Sequence, residues 1–64
     1  MKIAVDAMGG DFAPLEIVLG SIAAVHEYDT MDIVLVGDES KIKEILEAEG
    51  ELENSRISIH HASE

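Results

Sequence analysis

The sequence predicts an α/β fold: a parallel β-α-β-α-β segment, part of a doubly wound (Rossmann-like) three-layer sheet. Three observations point there. The apolar runs Ile3-Ala4-Val5 and Ile33-Val34-Leu35-Val36 show no alternation, as in strands buried on both faces. Each is followed by a stretch whose apolar residues recur three and four apart, the spacing of one helical face. Each handover carries glycine beside aspartate, at Gly9-Gly10-Asp11 and at Gly37-Asp38.

Residues 2–6 form the first short strand. From Pro14 to about Tyr28, Leu15, Val18, Leu19, Ile22 and Val25 define a helical face, with Pro14 suited to the first helical position because its fixed φ is already helical. Ile17, Ala24 and Tyr28 make a second apolar strip, which calls for a second neighbour in this chain or another. Gly20 costs a helix about 0.8–1 kcal/mol relative to Ala, which predicts close packing there. Residues 32–36 are the clearest strand, a β-branched run ending at Gly37-Asp38. The second helix spans about Ser40 to Glu49, with Ile42, Ile45 and Leu46 inward and Glu39, Lys43 and Glu47 in solvent; Gly50 stops it. Arg56 to His61 reads as a third strand. Ile57 and Ile59 alternate there with Arg56, Ser58 and His60, which suits a sheet edge. Right-handed crossovers make the sheet parallel, with strand order 3-2-1 preferred.

At 64 residues the chain is one segment (1–64) with a marginal core, because so short a chain buries only about 60% of its unfolded surface. It has no cysteine, hence no disulfide framework, and points to a reducing, cytoplasmic setting. The apolar start meets Asp6 too soon for a signal peptide or a membrane span. The net charge of −10, from 14 acidic and 4 basic side chains, sets the chain against nucleic acid and anionic membranes. A hydrophobic content of 47% separates it from a disordered acidic tail.

Ligands of open parallel sheets bind beyond the carboxyl ends of the strands, so the Gly9-Gly10 loop, the Gly37-Asp38 loop and His61 are expected to share one rim. The loop Met8-Gly9-Gly10-Asp11 is the candidate for binding a phosphate-bearing group through backbone N–H groups at a helix mouth. A plain tight turn explains the same glycines, since neither the Walker pattern nor Gly-x-Gly-x-x-Gly is present. Asp6 is placed to accept from the loop's own amides, and Asp11 to cap the helix or shape the loop. Gly37 and Asp38 support the rim. No metal is expected, because nothing completes a coordination shell around Asp6 and Asp11, and no cofactor is called for. His61 is the one catalytic candidate, as an acid, base or phosphate donor. His60, its strand neighbour, must point to the opposite face. His26 reads as structural or solvent-facing, Met8 as packing beneath the loop, and the glutamates from Glu44 to Glu53 as a solvated face.

The opening Ile3-Ala4-Val5-Asp6-Ala7-Met8-Gly9-Gly10-Asp11 with Pro14 behind it resembles the start of the bacterial phosphate acyltransferases called PlsX. Leu35-Val36-Gly37-Asp38 and His61-Ala62-Ser63-Glu64 are similar to that family's next landmarks, at suitable spacing. Phe12 stands where family members often carry histidine. The resemblance spans all 64 residues, but those enzymes are several times longer. It implies an N-terminal segment whose main acyl-transfer groups lie beyond Glu64, with acyl carrier protein and phosphate as substrates; the second apolar strip of the first helix and the open sheet edge point to a homo-oligomer. The alternatives are a small nucleotide- or anion-binding half-domain without catalysis, and an inactive fragment that self-associates through an open sheet edge.

Overall fold

The computed structural model describes residues 1–62. Three strands and two helices alternate: β1 (Lys2–Asp6), α1 (Leu15–Glu27), β2 (Asp32–Gly37), α2 (Glu39–Ala48) and β3 (Ile57–His61). The sheet is parallel with β2 in the centre, the expected order. Its register aligns Val5 with Leu35 and Ile59, and Asp6 with Val36 and His60.

Two crossovers of one hand, stepping the same way across the sheet, put both helices on the same face. Ile33 and Leu35 of β2 are buried there with Val18 and Val25 of α1, Ile42 and Leu46 of α2, Ala7 and Ile57. The other face carries Ala4, Asp6, Val34, Val36, Ser58 and His60, and no described element covers it. Within residues 1–62 the sheet shows two layers; β1 alternates exposed with half-buried positions, and β2 half-buried with buried ones.

The buried stripe of α1 is also rotated from the expected one. Val18, Ser21 and Val25 form its centre, flanked by half-buried Ile17, Ile22 and Ala24. Leu15 and Leu19, assigned to the core, remain 50% and 38% exposed, and Tyr28 of the second strip is exposed too. Ser21 is tolerated in the core because its hydroxyl donates to the Ile17 carbonyl at 2.9 Å, leaving no bare polar group. Gly20 is exposed with open space around it, so the close packing inferred there is absent among the described residues.

The second helix behaves as read. Ile42 and Leu46 are buried, and Lys43 pairs with Glu39 at 3.6 Å across one turn. Gly50, at φ +72°, ends it: the Gly50 amide donates to the Glu47 carbonyl and the Glu51 amide to that of Leu46. That pair of bonds satisfies the last helical carbonyls, and the positive φ favours glycine.

Candidate functional site

Pairing in register brings the carboxyl ends of all three strands to one rim. The Ala7 amide donates to the Val36 carbonyl at 2.9 Å, and the Ala62 amide to that of Gly37 at 2.9 Å. Each chain therefore leaves the sheet only after one more bond to β2. The three predicted features lie beside one another here.

In the first loop, the Asp6 carboxylate accepts from the Met8 amide at 2.9 Å, the local turn its side chain was expected to make. Gly10 has φ +97°, a region open to glycine and costly to residues with a Cβ. The amides of Gly9 and Gly10 donate to no acceptor among the described residues, and both glycines are exposed. The Asp6 carboxylate lies beneath Gly9, with an oxygen 3.7 Å from where a Cβ would stand. The loop thus carries two amide donors without an acceptor among the described residues, with the Asp6 carboxylate close by.

Asp11 does not cap α1. Pro14 occupies the capping position, with no side-chain hydrogen bond, and α1 begins at Leu15 rather than at Pro14. The turn before the helix closes through backbone alone, the Glu16 amide donating to the Phe12 carbonyl at 3.3 Å. Asp11 is exposed, and Phe12 is 72% exposed.

Gly37 and Met8 join the first two loops. A Cβ on Gly37 would stand 2.6 Å from the Met8 Cγ and 2.9 Å from its Sδ, so only glycine leaves room for the methionine. Met8 therefore packs against Gly37, with 38% of the residue still exposed. Asp38 caps α2, accepting from the Lys41 amide at 3.3 Å and from the Ser40 hydroxyl at 3.0 Å. The backbone bond from Lys41, then the Ser40 hydroxyl, hold its carboxyl below the ordinary aspartate range.

His61 projects to the helix side and its Nδ1 accepts from the Glu39 amide at 3.1 Å. The accepting nitrogen carries no proton, so the neutral ring keeps its hydrogen on Nε2. In this geometry Nδ1 of His61 is engaged by the first residue of α2 and Nε2 remains as a donor. An open depression of about 250 Å³ beside it is lined by Glu39, Ser40, Lys43 and His61. Neither Gly9 nor Gly10 lines it.

Sequence reasoning missed the side chain that closes the opposite end. Arg56, read as a wet-face strand residue, precedes β3 and caps α1. Its Nη1 donates to the carbonyls of Tyr28 (2.9 Å), Asp29 (3.0 Å) and Met31 (3.1 Å), and its Nη2 to that of Val25 (2.9 Å). A guanidinium suits this place, with several donors and a charge that the helix C-terminus favours. Nearby, Glu51 accepts from the Asn54 side chain at 3.0 Å and meets His26 Nε2 at 2.8 Å. Its carboxyl is held below the usual range by Asn54 first and His26 second, so it is a tie rather than part of a solvated run.

These features define a class: a parallel α/β segment with an exposed diglycine loop at the carboxyl-end rim of its sheet. The chain belongs to the fatty acid synthesis protein family, whose pattern matches residues 1–64. It is 58% identical over all 64 residues to the phosphate acyltransferase of Acetivibrio thermocellus, 53% to that of Listeria welshimeri and 48% to that of Bacillus thuringiensis. The chain spans only 19% of the first of these relatives and 18% of the other two.

Proposed function

We propose that this chain forms the opening βαβαβ segment of a phosphate acyltransferase and that Met8-Gly9-Gly10-Asp11 holds a phosphate-bearing group. The observation that carries this reading is the pair of exposed glycine amides, without an acceptor among the described residues, on the rim of a chain from this family. Gly37 supports the loop from the end of β2 through Met8, Asp38 caps the neighbouring helix α2, and Asp6 sets the loop's first turn.

The reaction proposed is attack of a phosphate oxygen on the carbonyl carbon of an acyl thioester borne by acyl carrier protein. A C–O bond forms, the C–S bond breaks, and the carrier thiolate leaves and takes up a proton, giving acyl-phosphate. Amide donors aimed at developing negative charge, and fixed positioning of the two reactants, are what a protein contributes to such a step. The Asp6 carboxylate opposes an anion, so the proposal includes a cation from outside these residues. Arg56 is committed to carbonyls and Lys43 to Glu39, Lys2 stands at the far end of β1, and Lys41 lies in the first turn of α2 beside Asp38. The setting proposed is cytoplasmic, with the carrier docking away from this acidic surface.

Thermal shift of the chain with inorganic phosphate, an acyl-phosphate and nucleotides tests the binding step. Stabilisation by the first two is expected; stabilisation by nucleotides alone, or by none, overturns it. The chain alone should form no acyl-phosphate, and measurable turnover would contradict the claim that the catalytic groups lie elsewhere.

The outer edges of β1 and β3 carry no further strand among the described residues, which favours self-association as a second reading. Light scattering that finds only monomer at high concentration would exclude it.

A further inference from the structure

We propose that His61 is a proton-operated latch on the rim: the neutral ring holds the first turn of α2 against β3, and protonation releases that turn and, through Gly37, the side chain of Met8. This stands on the rim's own contacts, whatever ligand the glycine loop takes.

The latch is a single bond with a strict requirement. The Glu39 amide can donate to Nδ1 only while Nδ1 is unprotonated, and its length of 3.1 Å leaves no room for two opposed hydrogens. Histidine is the side chain whose ordinary titration falls near neutrality, and a contact that needs a bare ring nitrogen is of the kind that mild acid can reverse. A charged ring also becomes a donor at both nitrogens at the N-terminus of a helix, where positive charge is disfavoured.

The charged form has somewhere to go. The groups that line the depression with His61 are the carboxylate of Glu39, the hydroxyl of Ser40 and the ammonium of Lys43, while the Asp38 carboxylate is engaged in the cap of α2. From β2 its register partner is Gly37, which has no side chain, and on β3 His60 points to the other face. A protonated ring can turn to the Glu39 carboxylate, which Lys43 holds at 3.6 Å. Two arrangements are therefore open to the ring, the observed one with neutral Nδ1 on the Glu39 amide and a charged one on the Glu39 carboxylate, which is what a switch needs.

The signal reaches the first loop by contact. Gly37 pairs with His61 and accepts from the Ala62 amide, while Met8 fills the space over Gly37 and Ile42 of α2 stands 3.4 Å from the same point. A shift of the first turn of α2 changes the walls around Met8, the residue before the diglycine.

The test is an NMR pH titration of the chain from about pH 8 to pH 5, following the His61 ring, the Glu39 amide and the Met8 methyl group. All three should move with one midpoint, and pH-corrected exchange of the Glu39 amide should quicken on the order of fivefold, the loss of one net hydrogen bond. His61→Asn places an oxygen acceptor near Nδ1 without a titrating ring, and should leave the Glu39 amide flat over this range. A Glu39 amide in the wild-type chain that ignores the His61 midpoint overturns the latch; so does an unaltered Glu39 titration in His61→Asn. A Glu39 amide that follows while Met8 does not overturns the link between the loops.

Discussion

Met8 occupies the space that any side chain at Gly37 would need. The contact, 2.6 Å from an added Cβ to the Met8 Cγ, ties the loop after β1 to the end of β2. Methionine is flexible, but the room is also bounded by Ile42, so the conflict resolves by pushing Met8 outward. Gly37→Ala should therefore cost on the order of 1–3 kcal/mol in urea unfolding, and a second change, Met8→Ala, should recover part of it. Two costs that simply add would show that the residues do not share this space.

Arg56 closes the other end of the fold. Its guanidinium serves four carbonyls at the exit of α1, so Arg56→Ala should destabilise the chain by about 2 kcal/mol. Arg56→Lys should recover less than half, because a single ammonium cannot span carbonyls served by two separate nitrogens. Equal stability of the lysine variant and the wild type, by denaturant midpoint, would contradict this.

How far the sequence carried depends on whether a signal was local. The unalternated run of β2, the periodicity of α2, its glycine stop and the turn at Asp6 all depend on neighbours within a few residues, and all are found. The orientation of α1 depends on the sheet beneath it. Its apolar residues cover more than half its circumference, so Leu15 and Leu19 competed with a stripe whose centre includes a serine. Arg56 acts across 31 positions on Val25, a distance over which spacing says nothing. The uncovered sheet face follows from the direction of both crossovers, which apolar content alone does not reveal. For the candidate site, the sharing of one rim was legible; Asp11 as a cap was not, because Phe12 and Pro14 close that turn through backbone.

Gly10 is the loop residue whose conformation requires glycine. At φ +97°, Gly10→Val should cost about 1–3 kcal/mol of strain or rearrange the loop. Gly20→Ala, at an exposed helical site with open space, should instead stabilise by about 0.5–1 kcal/mol. Comparing the two by thermal unfolding checks both, and a stabilised Gly10→Val would refute the loop geometry.

Acid should weaken the fold through Asp38 and Glu51. Both carboxyls are held below their ordinary values in the folded chain, so their contribution is fully present above the unfolded pKa near 4 and is lost as pH falls through the folded values. Asp38→Asn keeps a capping acceptor without the titration. Its stability should fall less than that of the wild type between neutral pH and about pH 3. An equal or steeper fall would show that the Asp38 cap is not what acid removes.

Whether the diglycine loop holds phosphate is decided most directly by following backbone amides as inorganic phosphate and then an acyl-phosphate are titrated into the chain. Saturable shifts centred on Gly9 and Gly10, and weakened in Gly10→Val, are the predicted result. Saturable shifts confined to Glu39, Ser40 and Lys43 around the depression at α2, with the glycine amides unmoved, would contradict it.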